Sequence, residues 1–161
     1  MTRGRHRGAP VYSRVVMKLR ALLIASSLAV TATACGDGGA VDTGTFATTP
    51  ATVLTTDAGS FRISVYSAPD AQPSRGVNAL RLVVTRVADG APVGGLQVDV
   101  VPWMPAMGHG ASVKPSVTAG SERGVYTVDR VNLFMPGLWE IRATLGGAAP
   151  PDHATAQFEV Q

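Results

Sequence analysis

The chain has 161 residues, of which 45% are hydrophobic, 16% charged and 6% aromatic. This size and composition suit one globular domain and exclude both two full domains and a wholly disordered chain. The first 34 residues carry six basic side chains and no acidic one, whereas the rest carries eight basic and eleven acidic groups. The rest therefore lacks the clustered cations of a nucleic-acid-binding protein. The single cysteine excludes an intrachain disulfide and a cysteine-based zinc cluster.

Residues 1–34 have the features of a secretory signal peptide. Lys18 and Arg20 precede an apolar stretch that runs from residue 21 to 34 and ends in small side chains. This stretch is shorter than the roughly 20 residues that a membrane-spanning helix needs. Met17 is a second candidate for the start of the protein, in which case residues 1–16 are an over-extended start.

Cys35 follows the triplet Ala-Thr-Ala, which resembles a bacterial lipobox. Cys35 is therefore predicted to be lipidated, to become the mature N-terminus and to anchor the protein to a membrane. The alternative is ordinary cleavage at the same place, which leaves Cys35 as a free exported thiol. In the first case the protein is an exported lipoprotein that faces the periplasm or the cell exterior.

Residues 36–59 are mostly Gly, Thr, Ala and Asp, and together with Cys35 they predict a lipidated, flexible tether over residues 35–59. A first strand at residues 51–56 is the alternative for the last part of this segment. The folded domain is predicted over residues 60–161.

Within residues 60–161, hydrophobic and polar residues alternate, as they do in strands with one buried face. The pattern is clearest at residues 61–65, 80–84, 96–100, 139–145 and 154–160. No segment shows the hydrophobic spacing of a helix. Six or seven short strands predict an all-β fold, namely an immunoglobulin-like antiparallel β-sandwich.

A short segment between two predicted strands contains three side chains that bind soft or borderline metal ions: Met104, Met107 and His109. Thioether sulfur has no proton to lose and prefers monovalent copper to hard cations. A neutral imidazole nitrogen also binds copper. Met135 is a candidate fourth ligand if its loop lies at the same end of the sandwich. Bound copper could then be covered by an aromatic ring, and the candidates for this cation–π contact are Trp103 and Trp139.

Each of these residues also has a purely structural interpretation. Met104 continues the inward face of the predicted strand at 96–100, and Met135 likewise suits core packing. Met107 and His109 lie in a glycine-rich loop, where solvent exposure is the alternative. Trp139 heads an alternating strand and is interpreted as a core residue. A neighbouring pair of titratable residues, Asp152 and His153, is interpreted as ordinary surface in a turn.

Three sequence blocks resemble the YtkA-like/FixH-like family of exported domains, and they occur in the family's order. The blocks are Trp103-Met-Pro-Ala-Met-Gly-His-Gly110, Gly124-Val-Tyr126 and Phe134-Met-Pro-Gly-Leu-Trp-Glu-Ile141. The resemblance covers about residues 60–161 and implies a small immunoglobulin-like sandwich. FixH-like members are associated with the assembly of copper-containing respiratory oxidases, and they usually carry a transmembrane helix. This chain is predicted to use a lipid anchor instead, so the oxidase partnership is not carried over to it.

The resemblance implies that Met104, Met107 and His109 face copper and that Met135 is a fourth ligand. The expected protein is a lipid-anchored copper chaperone or buffer of the cell envelope, which binds Cu(I) and passes it to a copper-receiving envelope protein. The alternative is a metal-free module that binds another envelope protein through its loops. An enzyme is not predicted, because the sequence has no nucleophile elbow, zinc-protease motif or phosphate-binding loop.

Overall fold

The computed structural model describes residues 45–147 and 150–161. The predicted signal peptide, the lipidation site Cys35 and most of the predicted tether lie outside these residues. All regular secondary structure in the described ranges is β-strand, and these ranges contain no helix of the length and hydrophobicity needed to cross a membrane.

Nine strands are present in the described residues. They are β1 (Thr52–Thr55), β2 (Phe61–Ala68), β3 (Gly76–Arg86), β4 (Gln97–Met104), β5 (His109–Gly110), β6 (Ser116–Ala119), β7 (Val125–Leu133), β8 (Gly137–Gly146) and β9 (Asp152–Val160).

The strands form two antiparallel sheets. The first has the order β1-β2-β3-β7-β6 and the second has the order β5-β4-β8-β9. The chain crosses to the second sheet after β3, returns after β5 and crosses again after β7. This order is that of an immunoglobulin fold, with β1 added at one edge of the first sheet. The predicted immunoglobulin-like β-sandwich is therefore confirmed.

The core lies between the two sheets, and the alternating residues predicted to point inward do so. In β9, for example, every second residue from Asp152 to Val160 is buried and each residue between them is exposed. Trp139 of β8 is completely buried, and its indole N–H donates a hydrogen bond of 2.9 Å to the Met135 carbonyl. A buried tryptophan needs such a partner for its one polar group.

The first sheet begins before residue 60. Thr52 of β1 lies opposite Val65 of β2, and Thr55 lies opposite Arg62. The strand considered at residues 51–56 is thus present, and residues 52–55 of the predicted tether belong to the sheet. The composition of β1 resembles that of a linker because this edge strand pairs through its backbone and has only one hydrophobic residue, Leu54, that is partly buried.

Asp152 and His153 were interpreted as ordinary surface in a turn, and this interpretation is wrong for Asp152. It is the first residue of β9 and is only 5% exposed. Its Oδ1 atom accepts hydrogen bonds of 2.9 Å from the backbone amides of Ala58 and His153. The carboxylate therefore fastens the turn between β1 and β2 to the start of β9. His153 is exposed, as predicted.

The charge of Asp152 is expected to stabilise the fold above about pH 4. Burial by itself raises the pKa of Asp152, but the neighbouring Thr56 hydroxyl and the amides of Ala58 and His153 outweigh burial and hold the pKa below its usual 3.8. Because the folded-state pKa is the lower one, the stabilisation is present above the unfolded-state pKa and is lost as the pH falls through the folded-state pKa.

Asp152→Asn is therefore expected to lower the free energy of unfolding by about 1–2 kcal/mol at pH 7 and by clearly less near pH 2.5. Urea unfolding at the two pH values measures this difference. His153→Ala is the control and should have little effect at either pH. An equal loss of stability in Asp152→Asn at both pH values would contradict the role of the charge.

Gly124 and Tyr126 close one end of the sandwich. The Tyr126 hydroxyl accepts a hydrogen bond of 3.0 Å from the Leu96 amide and donates one of 3.3 Å to the Val93 carbonyl, which fixes the connection from β3 to β4. Gly124 has a φ of +80°, and a Cβ atom there would lie 2.6 Å from the Val84 carbonyl oxygen. The second of the three sequence blocks is therefore structural.

Gly124→Ala is expected to destabilise the domain by at least about 2 kcal/mol, because it adds a backbone clash to the strain of a positive φ. Gly90→Ala is a matched control, since Gly90 has a φ of +71° and nothing within 4 Å of the added Cβ. In Gly90→Ala only the strain of the positive φ applies, and it is expected to lower the free energy of unfolding by about 1 kcal/mol. Thermal unfolding of both variants measures the difference, and equal losses would show that the clash at Gly124 is relieved.

Candidate metal site

The β4–β5 hairpin and the loop between β7 and β8 lie at the same end of the sandwich. The imidazole ring of His109 in the hairpin stacks on the phenyl ring of Phe134 in the loop, with 6.0 Å between ring centroids and 10° between ring planes. The two segments that contain the predicted copper ligands are therefore neighbours. This is the arrangement on which the inclusion of Met135 depended.

Two glycines shape the hairpin. Gly108 has a φ of +66°, and its amide donates a hydrogen bond of 3.0 Å to the Met104 carbonyl, which makes the chain reverse tightly. A Cβ atom at Gly110 would lie 2.8 Å from the Pro102 carbonyl oxygen, so glycine allows β5 to approach β4. The glycines on both sides of His109 thus allow the tight hairpin in which His109 pairs with Met104.

Met104 and His109 are directly opposite each other in the β4–β5 pair. Side chains of directly opposed residues project to the same face of a sheet, with Cβ atoms about 5 Å apart. For Met104 this face is the core, where the side chain is 5% exposed. Its methyl carbon lies against Gly137, at which a Cβ atom would be only 2.8 Å away. Glycine at the start of β8 thus makes room for the Met104 methyl group.

His109 is half-buried, and its Nδ1 atom lies 3.1 Å from the Gly110 carbonyl oxygen. A carbonyl oxygen only accepts, so a hydrogen bond here places a proton on Nδ1, and in the neutral ring the lone pair is then on Nε2. A histidine that binds metal through one nitrogen commonly donates the other N–H to a carbonyl group in this way. In this arrangement Nε2 is the ring nitrogen that would be available to a metal ion.

The remaining two predicted ligands differ in exposure. Met107 occupies the hairpin turn, and its side chain is 55% exposed. Met135 is half-buried and packs against the core, and its carbonyl oxygen accepts the hydrogen bond from Trp139. Met104 and Met135 thus pack against the core, as their structural interpretation predicts. Met107 has a largely free thioether, and His109 lies at the boundary between core and solvent.

The two tryptophans proposed to cover a cation lie in different surroundings. Trp103 precedes the inward-facing Met104 and so projects to the outer side of the second sheet. The guanidinium carbon of Arg142 lies 4.8 Å from the centre of its ring, so a cation from the protein already covers one of its faces. Trp139 is buried beneath Phe134, with the two rings at 71° and 5.5 Å between centroids.

Phe134 is the residue that the sequence reasoning missed. Its ring connects His109 at the surface with Trp139 in the core, and its carbonyl oxygen accepts a hydrogen bond of 3.2 Å from Arg75 Nε. The only signal in the sequence is an aromatic residue directly before Met135. That signal does not indicate which ring would be its partner.

Donor chemistry limits which metal this end of the sandwich suits. The described part of the chain contains no group of three or more His, Cys, Asp or Glu side chains able to hold a metal ion. A metal ion here would therefore depend on methionine sulfur together with the imidazole of His109. This donor set fits Cu(I), and it fits neither the oxygen ligands of calcium and magnesium nor the usual ligands of zinc.

Fold and local geometry together define an immunoglobulin-like β-sandwich domain with three methionines and a histidine in two neighbouring segments at one end. The chain belongs to the YtkA-like family, whose match covers residues 56–144, more than half of the chain. The matched region includes the β4–β5 hairpin and the β7–β8 loop. Comparisons with curated proteins and with solved structures gave no match.

Proposed function

We propose that this protein is a cell-envelope lipoprotein that binds Cu(I) at the hairpin end of the sandwich and serves as a copper chaperone or buffer. The observation that supports the proposal best is the contact of His109 with Phe134. It brings the loop of Met135 to the hairpin of Met104, Met107 and His109. Four soft or borderline donors thus belong to two adjoining segments at one end of the domain.

The exposures suggest an order in which the residues act on copper as cargo. Met107 is the most accessible thioether and meets an incoming Cu(I) ion first. His109 Nε2 then adds a nitrogen ligand, and Phe134 shields one face of the imidazole ring from water. Met104 and Met135 supply sulfur from the core side. Ligands that can be replaced one at a time suit transfer to a receiving protein.

The anchor proposed for this function is acylated Cys35. The protein is then exported and held at a membrane, facing the periplasm or the cell exterior, and its partner is a copper-receiving envelope protein. The role is one of binding, without catalysis. Metabolic labelling with a fatty acid tests the anchor, since Cys35→Ser should remove the label.

Titration with Cu(I) tests the copper proposal directly. All described hydrogen bonds and core contacts lie within residues 45–161, so a chain that starts at residue 36 retains the whole sandwich. A ligand that binds only the folded state raises the free energy of unfolding by about 2.7 kcal/mol at a concentration of 100 Kd. Reduced copper should raise Tm and saturate at one ion per chain, whereas Zn²⁺ should have a clearly smaller effect.

The exposed Met107 also favours the alternative function, a metal-free module that binds an envelope protein through this hairpin. In that case Cu(I) should leave Tm unchanged and no saturable binding should occur. His109→Asn should then have no effect on copper resistance in cells. These outcomes would contradict the copper proposal and support the interaction module.

A further inference from the structure

The outer face of the first sheet carries a cluster of aromatic, charged and hydroxyl side chains away from the methionines. Tyr66 of β2, Arg81 of β3 and Thr127 of β7 lie opposite one another in adjacent strands and form one row across the sheet. Arg81 is in the middle of this row, on the central strand. Its neighbours in β3, Leu80 and Leu82, point into the core, so the Arg81 side chain projects outward.

The guanidinium group of Arg81 lies close to two aromatic rings. Its central carbon lies 4.5 Å from the centre of the Tyr66 ring and 5.2 Å from that of Phe46. Cation–π contacts with the two rings restrict the orientation of the group without using the N–H groups on its edge. Such an edge fits the two oxygens of a carboxylate.

Arg81 lacks a polar partner among the described residues. Its Nε atom is buried without a hydrogen-bond acceptor, and the ion pairs within these residues involve other cations. A buried donor left without an acceptor costs about 1–3 kcal/mol. The two Nη atoms are not among the buried groups, so an anion can reach the guanidinium group at these atoms.

A groove of about 470 Å³ adjoins Arg81. Pockets for small ligands commonly measure about 300–1,000 Å³. The groove is apolar at Val83 and Val125, and it also contains hydroxyl groups at Ser121 and Thr127 and the carboxylate of Glu122. Because Glu122 repels additional negative charge, the lining favours a monoanion over the dianion of a phosphate.

We propose that this groove binds a small monocarboxylate with a short apolar body, with Arg81 gripping the carboxylate and the two valines contacting the body. The site is separate from the proposed copper site, so the failure of either proposal leaves the other standing.

An NMR titration of the ¹⁵N-labelled chain from residue 36 tests the proposal, with sodium benzoate as the probe at constant ionic strength. Benzoate should shift the amide signals of Val83, Val125 and Thr127 in a saturable manner. Arg81→Gln should weaken binding at least tenfold. Arg62→Gln is the matched control, because it removes a positive charge from the same sheet face outside the groove and should leave affinity unchanged. Neutral benzamide should cause no saturable shift.

The proposal is overturned if wild-type protein gives no saturable shift, if Arg81→Gln binds as wild type does, or if Arg62→Gln weakens binding equally. Tighter binding of inorganic phosphate than of benzoate would overturn the choice of a monocarboxylate. If Arg81→Gln does not fold, Arg81→Lys is used as the test variant in its place. It keeps the charge but lacks the planar fork, and at least threefold weaker binding is expected.

Discussion

Replacing Met107 and His109 together by alanine is expected to abolish stoichiometric Cu(I) binding and to leave a folded sandwich. The Met107 side chain is 55% exposed, so its loss leaves no core cavity. His109 contributes a stacking contact with Phe134, and such aromatic pairs contribute about 0.5–1.5 kcal/mol. The expected loss of stability is therefore small beside the loss of two of the four proposed ligands.

Titration of the wild type and the double variant with Cu(I), in competition with a chelator of known affinity, measures the effect. The matched control removes an exposed hydrophobic residue and an exposed histidine elsewhere, as Val53→Ala with His153→Ala, and should bind copper as the wild type does. Unchanged binding by the Met107 and His109 double variant would exclude the site.

Met104→Leu tests the buried thioether separately. The substitution keeps the core volume and removes the sulfur atom. The affinity for Cu(I) should therefore fall, while the free energy of unfolding changes by less than about 1.5 kcal/mol.

Trp139→Ala is expected to lower the free energy of unfolding by about 3–5 kcal/mol, which is the usual loss for a buried tryptophan. Trp139 is fully buried in the core, packs edge-on against Phe134 and donates its indole N–H to the Met135 carbonyl. A domain of this kind is stable by only about 5–15 kcal/mol in total. The variant should therefore be largely unfolded at moderate urea concentrations.

Urea unfolding followed by far-UV circular dichroism measures this loss. Trp103→Ala provides the comparison, because Trp103 lies on the outer side of the second sheet with Arg142 over its ring. Its expected cost is about 0.5–1 kcal/mol, the usual value of an exposed cation–π contact. Similar losses in the two variants would contradict the difference in burial between the two tryptophans.

The sequence alone predicted which side chains form the core. In β3, β8 and β9 the alternating hydrophobic residues are the buried ones, because neighbouring residues of a strand must point to opposite faces. Trp139 was interpreted correctly for this reason. The start of the domain was less certain, because the backbone pairing that holds β1 leaves little hydrophobic signal in its sequence.

The alternation of hydrophobic and polar residues could not predict contacts between distant segments. Asp152 looked like a surface residue, but it is buried because the Ala58 amide, 94 positions earlier, supplies a hydrogen bond. Likewise, the sequence contained His109 and Phe134 without showing that their rings stack.

What this sequence determined by itself was the class of fold, the inward face of its main strands and the soft donors of one loop. These follow from local rules, namely the two-residue repeat of a strand and the chemistry of sulfur and imidazole. The tertiary structure decided which segments adjoin. It brought the second methionine loop to the hairpin and placed Arg81 close to both Tyr66 and Phe46. Such contacts depend on how two sheets pack and on the register of strands far apart in the chain.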